Sequence, residues 1–410
     1  MFLPARRSFL DAKLVIVSLA IFICTISSLS RVSSAQSGAV ARGKPDGSPP
    51  TALVKVTTTS EFRAAIGRAR PGTTISVSPG VYEGGSYHVG IAGSPDAPIV
   101  IEGADPANRP VFAGGNTGIQ FSDANHLVLR DLIFEGARQN GINIDDAETI
   151  ATPSHHIVFT RIMVRDLPAG LHHGIKLSGV TDFVIEQSVV ERWGDGGSAV
   201  ALIGCHRGIV RNSLFRHTPG MQFGDGVQAK GGSTNIEIRA NRFEYAASRA
   251  VQIGGVTDFK FFRPQPPDTA EARAILVERN VFIGGETAIA FVSSDGGIVR
   301  FNTIYGPAKF LLRILHEHPD QGMAPTQNGL VSDNVFYWVG DLGVNIGDGT
   351  KPPSFVFARN WWYRADFPTG SRPALPSGET NGVYGIDPGF LSIPDNFRTI
   401  KAIQNGAYAP

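Results

Sequence analysis

From about residue 73 to 365 one arrangement of apolar and polar positions recurs: a short segment G-[IV]-x-[ILF], a turn, then [VI]-x-x-N-x-[FIVL]. The second half reads IVRNSLF at 209–215, IEIRANRF at 236–243, ILVERNVF at 275–282, IVRFNTI at 298–304, LVSDNVF at 330–336 and FVFARNWW at 355–362. Its polar position is Asn212, Asn241, Asn280, Asn302, Asn334 and Asn360, preceded by Asp131, Arg161 and Gln187 in weaker copies. These nine copies are spaced by 22 to 39 residues. A unit this small cannot bury its own apolar face, so copies must stack and share a core. Alternation at period two, with β-branched and aromatic inward positions, predicts strands of a parallel coil rather than helix pairs. Asparagines stacked at one turn would hydrogen-bond from coil to coil, a structural role that keeps them out of the candidate site.

Ahead of the repeat, TTTSEFRAAIGRARPG predicts a short amphipathic helix at about 60–70, capped by Thr59 or Ser60, with Phe62 and Ile66 on one face and Pro71-Gly72 as its stop. The open end of a stacked sheet would supply its apolar partner. The expected fold is all-β, a solenoid of about nine to eleven coils under this cap. The expected organisation is a solenoid domain over 55–395, a flexible leader at 36–54 and a tail at 396–410. The 48 glycines among 410 residues show no collagen triplet and suit many tight turns.

Residues 1–35 have the pattern of an export signal. Arg6, Arg7 and Lys13 precede the apolar run Leu14–Cys24, and Ser33-Ser34-Ala35 offers a cleavage site. The competing reading is an uncleaved anchor, against which Ser18, Thr25, Ser27 and Ser28 interrupt the run. The expectation is a secreted or periplasmic monomer with no membrane association after cleavage. Only Cys205 would remain in the mature chain, so no internal disulfide and no cysteine metal knuckle is expected. A formal charge of +1, from 37 basic and 36 acidic residues, argues against a nucleic-acid partner.

The repeats, the capping helix, the opening strand TISVSPGVYEG and the closing GIDPGFLSIPDNF together resemble the right-handed parallel β-helix superfamily of pectate lyases and related polysaccharide enzymes. The resemblance covers roughly residues 55–395 and implies a right-handed parallel β-helix. The same coil carries lyases, hydrolases, epimerases and adhesins, so activity must be read from side chains.

In a strand every second side chain faces outward. The x of each G-[IV]-x-[ILF] gives an outward row: Gln120, Asn143, Lys176, Ala201, Gln228, Gln252, Ala290, Arg313 and Asn345. Amides bind sugar hydroxyls, and Lys or Arg binds carboxylate, so this row predicts a groove floor for an acidic polysaccharide. The bland reading is an ordinary solvated sheet face. Lysine is scarce, at nine residues, yet both Lys176 and Lys230 fall on this face.

The stretch 224–255 holds Asp225, Gln228, Lys230, Arg249 and Gln252, and is similar to the active-site stretch of alginate lyases and chondroitinase B-like lyases. The resemblance implies Asp225 as a metal ligand, with Ca²⁺ as the candidate ion, five residues before a catalytic Lys230, with an arginine on the next coil. Arg249 stands three residues before the family's position, which Gln252 holds, and Phe223 replaces the second acidic ligand. β-Elimination of a uronate needs a base for the proton α to the carboxyl group and a cation to neutralise that carboxylate. Lys230 is the candidate base, with Arg249 and Lys176 as neutralising cations and Arg313 as a second uronate contact. The alternative for Lys230 and Arg249 is a surface ion pair with nearby acids. His172 and His173, just before the Lys176 strand, are further candidates, His173 for proton transfer and His172 for substrate contact. His316-Glu317-His318 is a second cluster, with low specificity for a metal. The insertions 261–273 and 316–327 are expected to wall the groove.

Two other functions stay open. A polygalacturonase-like hydrolase would need paired carboxylates, for which Asp145-Asp146 is the nearest match. A glycan-binding protein would have the groove without a reactive centre.

Overall fold

The computed structural model describes residues 52–265, 269–318 and 322–390. The export signal at 1–35, nearly all of the leader and the tail at 396–410 lie outside the described residues. Successive short strands build three parallel sheets, of thirteen, twelve and ten strands. Each coil contributes one strand to the first sheet, one to the second and one to the third before returning, and it pairs with the coils before and after it. Ten coils contribute to all three sheets, within the expected nine to eleven. No helix of the described residues is long and apolar enough to cross a membrane.

The cap is the helix Thr59–Arg68. Its N-cap is Thr58, one residue before Thr59 and two before Ser60, the expected caps; the Thr58 hydroxyl accepts from the Glu61 amide, and the Glu61 carboxylate accepts from the Thr57 amide at 2.8 Å. Phe62, Ala65 and Ile66 are buried. Phe62 packs 4.7 Å from Phe112, which stacks on Tyr82 at 5.2 Å and on Phe134 at 5.2 Å. An interior column of aromatic rings thus begins at the cap. It continues as Phe215, Phe243 and Phe282 in later coils, each ring filling the space above the next.

The asparagine column is present in the last five copies, while the first four positions read for it, Asp131, Arg161, Gln187 and Asn212, stand one residue out of register. Asn241, Asn280, Asn302, Asn334 and Asn360 form a buried ladder, each side-chain amide donating to the next Oδ1 at 2.9–3.1 Å. Glu379 terminates it, accepting from Asn360 Nδ2 at 2.8 Å. Asn212 is not a member. It lies one residue earlier in its coil, in a column of left-handed turn residues that includes Asp131, Arg161, Gln187, Asn212, Ala240, Arg279, Phe301, Asp333 and Arg359, with φ of 51–58°. The inward position beside Asn212 is Ser213, whose hydroxyl accepts from the Ser188 amide at 3.1 Å. Asparagine suits both positions, being favoured in the left-handed region and able to bridge coils. That is why sequence spacing alone merges the two columns.

Candidate active site

The outward row of the third sheet is in the expected register. Gln120 pairs with Asn143, Asn143 with Lys176, Lys176 with Ala201, Ala201 with Gln228, Gln228 with Gln252, Gln252 with Ala290, Ala290 with Arg313, and Arg313 with Asn345. A second outward row runs two residues further on, and there Asp145, Ser178, Ile203 and Lys230 follow one another. The face is less solvated than either sequence reading supposed. Asn143, Ala201, Gln228, Gln252 and Ala290 are all buried. The second row explains part of this. Asp145 accepts from both Gln120 and Asn143 at 3.0 Å, and Val292 and Leu315 close over Ala290 as a separate apolar cluster.

Lys176 and Lys230 come from coils two apart; on the coil between, Ala201 is in register with Lys176 and Ile203 with Lys230. Both are half-buried, and among the described residues neither ammonium forms an ion pair. Burial lowers the pKa of each. For Lys230 this is opposed by Glu271 and Asp225 and reinforced by the charge of Lys176. The surface ion-pair reading therefore fails for Lys230. The backbone there is equally close: a Cβ at Gly255, where φ is +158°, would stand 3.0 Å from Lys230 Cδ and 3.1–3.2 Å from the amide nitrogens of Gln252 and Gln228. Gly255 thus lets Lys230, Gln228 and Gln252 meet at one point.

His173 opens the strand of Lys176. Its Nδ1 accepts from the Ser198 amide at 3.0 Å, which leaves the proton on Nε2. Burial, then the charges of Lys176, Lys230 and His172, push its pKa down to about 3. His173 is consequently a neutral hydrogen-bond donor at working pH, and its one lone pair is already engaged. His172 packs into the turn instead, so close to Gly170 that a Cβ there would lie 2.6 Å from His172 Nε2.

Asp225 pairs in register with Arg249. Gly224, at φ +77°, provides the backbone turn its position requires. Burial pushes its carboxyl up to about 6, against the lowering influence of Arg249 and Lys230. Arg249 is ion-paired, as the alternative reading had it. Its guanidinium clasps Glu317 through two bonds, at 2.5 and 3.0 Å, and donates to Gln252 Oε1 at 2.6 Å. Arg313 lies over the Phe310 ring at 5.1 Å and donates through Nε to Asn345 at 3.0 Å.

The residues around Asp225 do not fit a calcium site. Ca²⁺ takes six to eight oxygens, whereas Asp225 faces Arg249 and Lys230, and the nearby Glu317 is held by Arg249. The His316-Glu317-His318 cluster does not converge either. Buried His318 sits 2.9 Å from the Thr257 carbonyl and stacks on Phe259, while His316 approaches Ser293. Asp145 and Asp146 point apart, as adjacent strand residues do. Asp146 is buried against Arg263, 2.7 Å away, and Asp145 stays on the outer row.

The insertions do not rise as two walls. Phe259, just before the first, stacks on His318 of the second, and the Ala324 amide donates to the Thr269 carbonyl. Both therefore pack together, and the first reaches back to Asp146 through Arg263. Glu271, which accepts from Gly231 and Thr257 amides at 2.7 Å, ties this insertion to the turn after Lys230. These contacts link residues 14 to 117 positions apart, and no local motif announces them.

No family model matches the chain, and no curated protein does. Solved structures do. An alginate lyase from Paenibacillus sp. str. FPU-7 aligns at TM-score 0.50 and 16% identity, over 74% of this chain and 99% of its own. A GH136 lacto-N-biosidase from Eubacterium ramulus aligns at TM-score 0.53 and 13% identity, over 81% and 67%. The A-module of a mannuronan C-5 epimerase from Azotobacter vinelandii aligns at TM-score 0.52 and 14% identity, over 79% and 93%. A lyase, a glycosidase and an epimerase on one scaffold speak for the fold and leave the reaction to the side chains. The chain is a right-handed parallel β-helix, the fold it shares with these three enzymes.

Proposed function

We propose that this protein is an exported polysaccharide lyase that binds an acidic, uronate-containing polymer along the third sheet and cleaves it by β-elimination. The observation that carries this reading is the pair Lys176 and Lys230: half-buried, without ion-pair partners among the described residues, and set among Gln228 and Gln252. Two desolvated ammonium groups with no carboxylate bonded to either, and with Asp145, Asp225 and Glu271 acting on them only at longer range, can take up a carboxylate polymer. Lys176 neutralises the uronate carboxylate, which acidifies the adjacent C–H. Lys230, its pKa lowered by burial, takes that proton as the neutral amine. The C–C double bond forms as the C–O bond to the leaving sugar breaks, and the new Lys230 ammonium returns the proton to the leaving oxygen. Neutral His173 donates a hydrogen bond through Nε2. Arg313, three coils beyond Gln228 (~14 Å), contacts a further uronate.

The test is turnover of polyuronides and glycosaminoglycans, followed by the ultraviolet absorbance of the unsaturated uronate. Lys230→Arg keeps the charge but cannot deprotonate. It is expected to lower kcat by roughly 10²–10⁴ with little change in KM. An unchanged rate would show that Lys230 supplies charge alone. New reducing ends without absorbance would favour a second reading, hydrolysis with Asp225 as the acid, for which its carboxyl pushed up to about 6 is the supporting observation.

A further inference from the structure

The first sheet carries a cluster that the proposed groove chemistry does not use. His126 lies in the strand Asn125–Arg130, and His155 and His156 lie in Ser154–Thr160 on the next coil, where His155 pairs with Asn125. His126 and His156 both adopt left-handed backbone, with φ of 47° and 55°, at a kink that Asp182, Arg207 and Asn235 occupy in the following coils. Two histidines in consecutive copies of this kink stack their rings, with centroids 4.5 Å apart and planes inclined by 26°. His155 stands edge-on to both, at 5.2 and 5.0 Å.

One ligand nitrogen from each ring lies within 4.8 Å of the other two. Tetrahedral zinc with Zn–N bonds of about 2.0–2.1 Å needs nitrogens about 3.4 Å apart. Small rotations of these side chains cover that gap. His155 Nδ1 and His156 Nδ1 face each other at 2.9 Å, so one proton at most can lie between two atoms that a metal would bind together. His126 and His155 are half-buried and His156 is exposed, which gives an ion both a seat and an entrance. Asp123 and Asp182 place negative charge near His155, favouring a cation. Asp182 is itself held by Arg207 at 2.7 Å, so the first ligands are the three imidazoles.

We propose that His126, His155 and His156 bind one imidazole-preferring divalent metal ion, with zinc as the reference, joining two adjacent coils on a sheet other than the groove's. Imidazoles suit Zn, Cu and Ni, whereas Ca²⁺ and Mg²⁺ require oxygen ligands.

The experiment uses the purified full chain, stripped with chelator and dialysed against Zn²⁺, with bound metal counted by mass spectrometry. Co²⁺ substitution then reports geometry through its visible absorption. Wild type is expected to hold one equivalent of zinc and to show tetrahedral cobalt bands. His126→Gln and His156→Gln should each weaken binding at least about tenfold while circular dichroism stays unchanged. His316→Gln, outside the cluster, should bind as wild type does. Absence of stoichiometric uptake, or uptake that survives both cluster variants, would overturn the proposal. Binding that is lost equally in His316→Gln would assign the metal elsewhere and overturn it too. Because the readout is metal content, failure here is separable from failure of the lyase reading, which Lys230→Arg tests.

Discussion

Asn302, in the middle of the buried ladder, allows a stability prediction worked bond by bond. Its Nδ2 donates to the carbonyls of Val277 (2.9 Å) and Arg300 (3.0 Å) and to Asn334 Oδ1 (2.9 Å). Its Oδ1 accepts from the Asn280 amide at 2.9 Å and from Asn280 Nδ2 at 3.0 Å. Asn302→Leu conserves approximate volume but orphans the buried Asn280 N–H, at about 1–3 kcal/mol. Asn280 Nδ2 keeps its bond to the Ile238 carbonyl, so its loss is partial, about 1 kcal/mol. The expected cost is therefore about 3 kcal/mol. Asn302→Ser retains an acceptor for the Asn280 amide, the arrangement Ser213 already makes with Ser188, and should cost about 1 kcal/mol. Asn302→Asp would set a carboxylate against two carbonyls. Its folded pKa would rise above the unfolded value, so this variant should be most stable at low pH and lose stability as pH climbs above about 4. Urea unfolding followed by tryptophan fluorescence gives the differences, and hydrogen exchange of the Asn280 amide localises them. A leucine variant within about 0.5 kcal/mol of wild type, or a serine variant as costly as leucine, would refute the ladder account.

Asp225 has a carboxyl raised from 3.8 to about 6, so the folded state binds a proton that the unfolded chain has released, and wild-type stability should fall as pH rises between about 4 and 6. Asp225→Asn should lack this decline, by about 1 kcal/mol after allowance for its partial exposure, in melting temperatures taken across that window. Arg263→Ala leaves the Asp146 carboxylate buried at 3% exposure and should cost about 3–5 kcal/mol, with Asp146→Asn recovering part of it and proteolysis reporting release of the insertion. Phe62→Ala removes the ring that joins the cap to Phe112; it should cost about 3–5 kcal/mol and, by opening the end of the stacked sheets, promote association visible in light scattering.

The coil was legible because its signal is periodic and redundant. Nine copies of an apolar alternation fix which side chains face inward, and a slip of one residue would turn every one of them to the wrong face. The outward row from Gln120 to Asn345 consequently appears in the register read from G-[IV]-x-[ILF]. The ladder was misassigned in the first four copies, where Asp131, Arg161, Gln187 and Asn212 belong to the turn column one residue earlier. The turn column takes Asp, Arg, Gln, Asn, Ala and Phe at the same backbone angle, so residue type there says little about geometry.

The site was legible only as far as it is local. Asp225, Gln228 and Lys230 share one strand, so alternation and one glycine place them. The Arg249–Glu317 clasp spans 68 residues and the Arg263–Asp146 pair spans 117, through insertions whose own sequences carry no repeat. That clasp changes the chemistry assigned to the groove. Arg249 looked like the cation for the substrate carboxylate, yet its forked donors already hold a carboxylate at 2.5 and 3.0 Å, and a substrate would have to displace Glu317 to use them. Lys176 and Lys230 face no such competitor. On the coil between them, buried Ala201 stands in register with Lys176 and Ile203 in register with Lys230, so the lysines occupy neighbouring outward rows rather than one. What sets the two lysines apart from Arg249 is that, among the described residues, no carboxylate is bonded to either ammonium, so an incoming anion would displace no partner.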